Sequence, residues 1–406
     1  MSKYINNLLL KNNINKNYFK NTLYSKDKVK LNKIIKNIYS GLDNKKDTFH
    51  VLSKKFDISL NKSHLKKFNK YKHVLIIGMG GSALGVQAIY FFLKQKINKD
   101  FIFFDNLDQL KIEQVKKNIN LKNSLFIIIS KSGNTIETLI NSNLLKNQIS
   151  YKNTIIITEK KINLLNIFAK NKKILHINHK NYISGRYSIL SEVGMVPAYF
   201  MGLKINHLRK NLLAFFKSRK NLFLIDSVIK LGHIYNSKKI NSIILLNYAP
   251  ELNEFLYWCQ QLIAESLGKN GKGILPVVSP APRDHHSLLQ LYLDGPKDKL
   301  FYIFSLNLNK KMKINNNIFG KTFKFVENKE LSKVVEAQKN ALIKVLRNKN
   351  IPFREFKVYK IAEETLGELF SYFILETALI GYLNDVNPFN QPAVEEVKIL
   401  TKKYLS

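Results

Sequence analysis

Cysteine is almost missing from this chain: among 406 residues there is one, Cys259. A single thiol excludes an internal disulfide, a cysteine-based zinc site and a CxxC redox pair, and the expected compartment is a reducing cytoplasm. Acidic residues are scarce too. Against 66 Lys and Arg stand 29 Asp and Glu, a formal net charge of +37. An excess of this size can mark a polyanion partner, nucleic acid or a membrane surface. The lysines, however, run along the whole chain among Asn and Ile, which fits better a coding sequence biased toward AAA, AAT and ATA codons. No recognisable nucleic-acid-binding motif accompanies them, so no specific nucleic acid is expected. The opening residues lack a signal-peptide core and offer only the run Leu8-Leu9-Leu10. What is present is ordinary: 45% hydrophobic and 23% charged residues, a globular composition that rules out general disorder.

One stretch, Val74 to Leu93, has no charged residue over about the length of a membrane span. Gly78, Gly80, Gly81 and Gly85 interrupt it, with Ser82 and Gln87, so it reads as a strand, a glycine turn and a helix; no membrane partner is expected. Short Ile-, Val- or Phe-rich runs recur at 74–77, 101–104, 125–129, 155–157 and 174–177, with helical-length segments between them. That alternation predicts a mainly parallel sheet flanked by helices. A second cycle follows a basic helical stretch near 203–220: strands at 243–246, 275–278 and 300–306, helices at 252–267, 332–347 and 364–383. The fold class is therefore α/β, two such units in sequence with helical extensions at both ends.

Two loops carry the chemistry. After the strand at 74–77 comes Gly78-Met-Gly-Gly-Ser82-Ala-Leu-Gly85, where glycines let backbone approach a ligand and a helix N-terminus offers N–H groups to an anion. Gly78, Gly80 and Ala83 also fit a dinucleotide fingerprint, with Asp105 at the end of the next strand as the ribose acid or simply a helix cap. The strand at 125–129 then runs into Ser130-Lys131-Ser132-Gly-Asn-Thr135-Ile-Glu137. A nest of N–H groups with three hydroxyls suits a phosphate dianion, to which Lys131 adds charge. A dinucleotide fold has no standing need for this second cluster, so a phosphate site is favoured over a nucleotide cofactor.

Together these loops resemble the sugar isomerase (SIS) domain. Four later motifs narrow the resemblance to the glucose-6-phosphate isomerase family: Ser184-Gly-Arg-Tyr-Ser188, Glu265-Ser-Leu-Gly-Lys269, Asp284-His-His-Ser-Leu-Leu-Gln-Leu291 and Phe389-Asn-Gln-Pro-Ala-Val-Glu-Glu-Val-Lys398. The motifs stand in family order over residues 74–398. The resemblance implies an N-terminal helical extension at 1–50, a first SIS domain with the phosphate loops at 51–205, a second at 206–385 and a C-terminal active-site helix at 386–406. It implies reversible aldose–ketose isomerisation of glucose 6-phosphate and fructose 6-phosphate through ring opening and a cis-enediolate, in glycolysis and gluconeogenesis, with no metal and no cofactor.

Glu265 is expected as the base that moves a proton between C2 and C1, a task that suits a carboxylate with a pKa raised by desolvation. Gln261 lies one helical turn before it on the same face, opposite an apolar stripe of Leu252, Leu256, Cys259 and Ile263. By resemblance His286 is the ring-opening acid/base, although His285 stands where Gln is common, and the family's histidine comes from the neighbouring subunit, which implies a homodimer with shared active sites. Arg186 matches the arginine that stabilises the enediolate. Lys398 matches a lysine of ring opening, two helical turns after Gln391, on a helix expected to start at Pro392. Ala393 replaces the usual Gly and Glu396-Val397 the common Leu-Gly. Glu137 matches a carboxylate that orients the histidine, and Gly81, Ser82, Ser130, Lys131, Ser132 and Thr135 the phosphate-binding positions. A bifunctional glucose/mannose phosphate isomerase and a non-catalytic sugar-phosphate-binding regulator of the same fold are the alternative readings; the regulator ordinarily adds a helix-turn-helix that residues 1–50 do not clearly show.

Overall fold

The computed structural model describes residues 2–5, 7–58, 60–307, 312–315 and 318–406. Two strands lead the chain, β1 (Ser2–Ile5) and β2 (Leu8–Asn13), where only helices were expected; the first long helix, α1 (Asn21–Ser40), follows them. Leu8, Leu9 and Leu10 are buried as the apolar half of β2.

Strands β3 (His73–Ile77), β4 (Asp100–Phe104), β5 (Ser124–Ile129), β6 (Thr154–Thr158) and β7 (Leu175–Asn178) form a parallel sheet in the order β4-β3-β5-β6-β7. Each coincides with an expected apolar run. Alternate residues serve different layers, as the two-residue period of a strand requires: Val74, Ile76, Leu125 and Ile127 join the main core, while Leu75, Ile77, Phe126 and Ile128 join a second cluster beneath. A sheet covered on both faces needs apolar side chains at every position, which is why these strands read as unbroken runs. Strand order reverses between β3 and β5, and there the carboxyl ends open a crevice. The uncharged stretch resolves into β3, the glycine turn and helix α2 (Leu84–Leu93); helix α3 (Ile136–Leu144) follows the loop after β5.

The second unit begins with α4 (Ser218–Ser237), longer than the expected basic helical stretch and displaced from it, and continues through β8 (Ser242–Asn247), α5 (Asn253–Leu267), β9 (Leu275–Pro280), β10 (Lys299–Leu306), α6 (Leu331–Asn348), β11 (Phe353–Val358) and α7 (Glu363–Leu383) to α8 (Val394–Leu405). Its sheet runs β1-β2-β11-β10-β8-β9, parallel from β11 to β9 and antiparallel at the two N-terminal strands. β11 lies outside the expected strands. Its Arg354 is fully buried and gives two hydrogen bonds to Glu376 of α7 (2.9 and 2.7 Å), one to the Tyr372 hydroxyl (2.6 Å) and one to Asn12 Oδ1 on β2 (2.8 Å), so one guanidinium ties the N-terminal strand to the core.

α7 is long and apolar enough to cross a membrane, but 94% of its most apolar window is buried inside the protein. It packs against α4 and α5, while α2 runs along α5. That α2–α5 contact positions the site, because it lays the turn after β3 against the Gln261–Glu265 face.

Candidate active site

The glycine turn approaches two other elements more closely than any side chain would permit. A methyl group on Gly81 would lie 2.4 Å from the carbonyl carbon of Gly185, and one on Gly80, whose φ is +52°, would lie 2.7 Å from Gln261 Nε2. The absence of Cβ atoms lets the turn touch both the Ser184–Ser188 segment and α5. Ser82, at the end of the turn, is half-buried, with its backbone N–H bonded to Met79 O (3.0 Å).

At that junction sits Arg186, 2% exposed, far from the surface residue its type suggests in so basic a chain. A guanidinium has five N–H donors, and all are used. Nε donates to Ser266 Oγ (2.8 Å), Nη1 to Glu265 Oε2 (3.1 Å) and Gln391 Oε1 (2.8 Å), and Nη2 to the carbonyls of Pro388 (2.7 Å) and Asn390 (3.0 Å). Tyr187 Oη completes the floor by its bond to Ser266 Oγ (3.0 Å). Gln261 Nε2 donates to the other Glu265 oxygen at 2.8 Å, as the one-turn spacing on α5 predicts. The Glu265 side chain remains 30% exposed, so its carboxylate is held by two partners at the mouth of the site. Gln261 Oε1 is buried with no partner among the described residues.

The loop after β5 is organised by its hydroxyls. Ser130 Oγ lies 2.9 Å from Thr135 Oγ1 and accepts from Gly133 N (3.2 Å); Ser132 Oγ lies 3.4 Å from Thr135 Oγ1 and accepts from Asn134 N (3.2 Å). Lys131 Nζ donates to Asn181 O (2.8 Å) and is 3.8 Å from Glu159; burial pulls its pKa down against that carboxylate. Glu137 is half-buried in the first turn of α3 and makes no hydrogen bond or ion pair among the described residues. Asp105 accepts from Gln87 Nε2 (2.8 Å), whereas the cap of the helix after β4 is Asp108. Asp105 thus has a structural partner and does not stand free as a ribose-binding acid.

Two residues stand apart from this group. His286 is exposed, its ring without a hydrogen bond among the described residues. The adjoining His285 has Nε2 2.6 Å from the Tyr248 hydroxyl, and burial followed by the charge of His286 lowers its pKa. Lys398 is exposed on α8 and paired with Glu395 (3.0 Å). α8 starts at Val394 rather than at Pro392, so Gln391 lies ahead of the helix and reaches Arg186 while Lys398 does not. The expected single helix carrying both residues is thereby corrected.

Ser266 and Lys269 belong to the site although only their neighbour Glu265 was singled out. Lys269 Nζ donates to the carbonyls of Ser266 (3.0 Å) and Asn387 (2.5 Å), and burial, with Arg186 nearby, brings its pKa down to about 8 against the pull of Glu265. Both lie inside the Glu-Ser-Leu-Gly-Lys motif, which was the available signal; the carbonyls of 387, 388 and 390 leave none. Among the described residues no cluster of His, Cys, Asp and Glu could hold a metal ion.

A model of the phosphoglucose isomerase family matches residues 21–406. A glucose-6-phosphate isomerase of Methanocaldococcus jannaschii is 33% identical over 376 residues, covering 89% of this chain and 91% of the relative. Among solved structures, a hypothetical protein of Thermus thermophilus superposes with a TM-score of 0.82 at 21% identity (98% and 100% of the two chains). A glucose-6-phosphate isomerase of Chlamydia trachomatis does so with 0.78 at 17% identity (100% and 89%). The last two establish the fold, two mainly parallel sheets flanked by helices.

Proposed function

The chain belongs to the phosphoglucose isomerase family, and we infer from this membership and from the site how its residues divide the interconversion of glucose 6-phosphate and fructose 6-phosphate. The enzyme is an aldose–ketose isomerase of carbohydrate metabolism. The loop hydroxyls of Ser130, Ser132 and Thr135, the backbone at Gly81 and Ser82, and Lys131 hold the phosphate dianion. With the sugar open, Glu265 removes the C2 proton and returns it to C1, while a proton moves from the oxygen on C2 to that on C1. Negative charge spreads over the two oxygens of the enediolate between these steps. Arg186 is the fixed cation nearest that charge, and a guanidinium already held on every N–H costs little reorganisation as charge develops. Gln261 Oε1 offers an acceptor to a sugar hydroxyl, and Gln391 holds the arginine from the other side.

His286 and Lys398 carry ring opening in this reading, with Glu137 orienting the histidine. Their exposure, with no hydrogen bond or ion pair to Glu265 among the described residues, and the exposure of Val397 (67%), Ile399 (63%) and Leu405 (74%) on α8, support a homodimer in which a second subunit completes each site. The buried free Cys259 accords with a cytoplasmic enzyme.

The observation that carries the assignment is the hydrogen-bonded group Gln261–Glu265–Arg186 laid against the glycine turn. Glu265→Gln is expected to lower turnover of fructose 6-phosphate by about 10³-fold, the range of a positioned general base, with phosphate-ligand affinity kept within about threefold. Near-normal turnover by that variant would show the base to be another residue. Mannose 6-phosphate assayed beside glucose 6-phosphate decides whether the substrate range is single or dual.

A further inference from the structure

Strand order reverses once among the parallel strands of each sheet, between β3 and β5 in the first and between β8 and β10 in the second. At such a point the carboxyl ends of neighbouring strands leave a crevice, the usual seat of a ligand in parallel α/β sheets. The first crevice holds the phosphate loops. The second is a cavity of about 520 Å³ between the Tyr248–Glu251 turn after β8, the end of β10 at Ser305–Asn307, and the first half of α6. That volume lies in the ordinary range for small-molecule sites, about 300–1,000 Å³.

Lys339 of α6 lines this cavity. It is 5% exposed, and its ammonium makes no hydrogen bond or ion pair among the described residues. The two carboxylates near enough to act on its charge are committed elsewhere. Glu336 pairs with Lys357 (2.9 Å) and Lys333 (3.5 Å), and Glu355 with Lys11 and Arg347 (3.9 Å each). Burial, then the like charge of Lys357, lowers the Lys339 pKa. A desolvated ammonium without a partner is unfavourable unless something supplies one. A complementary deficit lines the same cavity: the buried Glu251 Oε2 has no hydrogen-bond donor among the described residues.

We propose that this cavity is a second, non-catalytic ligand site, and that its ligand is a small hydroxylated organic anion of sugar-phosphate size. The anionic group of the ligand pairs with Lys339, and a hydroxyl donates to Glu251. None of these residues belongs to the Arg186–Glu265 group, so the two sites bind independently chosen ligands of one chemical class.

Calorimetric titration of the full chain with fructose 6-phosphate tests this. The wild type is expected to show two sites per chain. Lys339→Gln is expected to weaken one of them by at least about tenfold, the loss of one charge-assisted contact, and to leave the other unchanged. Glu251→Gln is expected to weaken the same site, and serves also if the lysine variant does not fold. One site per chain in the wild type, or two sites untouched by these substitutions, overturns the proposal.

Discussion

At the scale of single residues, the same side-chain type has opposite meanings in different places, and burial with hydrogen bonding tells them apart. Of the 66 basic residues, Arg186 is the one enclosed between Glu265, Gln391 and three further acceptors. Its sequence motif marked it, but its surroundings were not legible, because main-chain carbonyls have no residue type. The Gln261–Glu265 contact was legible, since spacing by one helical turn fixes it wherever the helix forms. His179 shows burial acting on charge alone. It is 2% exposed, and desolvation, aided by Lys131, lowers its pKa from 6.5 to about 4. Below pH 6.5 the unfolded chain takes up a proton that the folded chain refuses until pH 4, so stability is complete above 6.5 and is lost on descent through that window. Denaturant unfolding should find about 3 kcal/mol lost between pH 6.5 and 4 that His179→Gln retains. Equal acid sensitivity of the two proteins would place the titrating group elsewhere.

At the scale of elements, the central strands were readable because a sheet buried on both faces demands continuous apolar runs. β11 escaped because Arg354, Glu355 and Lys357 break the run, and the physical reason appears only in three dimensions: Arg354 is neutralised by Glu376, while Glu355 pairs with Arg347 and Lys357 with Glu336 of α6. β2 escaped for a related reason, since three leucines followed by Lys11, Asn12 and Asn13 make half a pattern until β11 supplies the partner. The C-terminal motif failed in register: a helix from Pro392 would have put Gln391 and Lys398 on one face, but the helix begins later and Gln391 is drawn to Arg186. The turn at Gly81 is the element on which the site rests. Gly81→Ala sets a methyl against the Gly185 carbonyl and Arg186 N, both backbone and unable to swing aside. An overpacking cost of about 2 kcal/mol is expected, with a fall in turnover as Arg186 is displaced from Glu265. Thermal unfolding and steady-state assays check both; unchanged values would mean that the contact relaxes freely.

At the scale of the whole molecule, one chain lays the glycine turn against Arg186 and Glu265, but leaves His286 and Lys398 exposed. The proposed sharing of sites between two subunits would account for that division, and it yields a clear expectation. Glu265→Gln and His286→Asn, each inactive alone, should restore activity when unfolded and refolded together. Random pairing makes half the dimers mixed, with one of two sites intact in each, so recovery should approach about a quarter of wild type. Activity no greater than the sum of the separate variants would mean that each site is built from one chain.

The measurement closest to the chemistry follows hydrogen itself. The Glu265 carboxyl, 30% exposed, can trade the proton it has taken for solvent deuterium before delivering it, so in deuterium oxide with fructose 6-phosphate the wild-type enzyme should place deuterium on C2 of part of the glucose 6-phosphate formed. Glu265→Gln, still binding the sugar phosphate, should do so about 10³-fold more slowly. Labelling of C2 by that variant at near the wild-type rate would contradict the account.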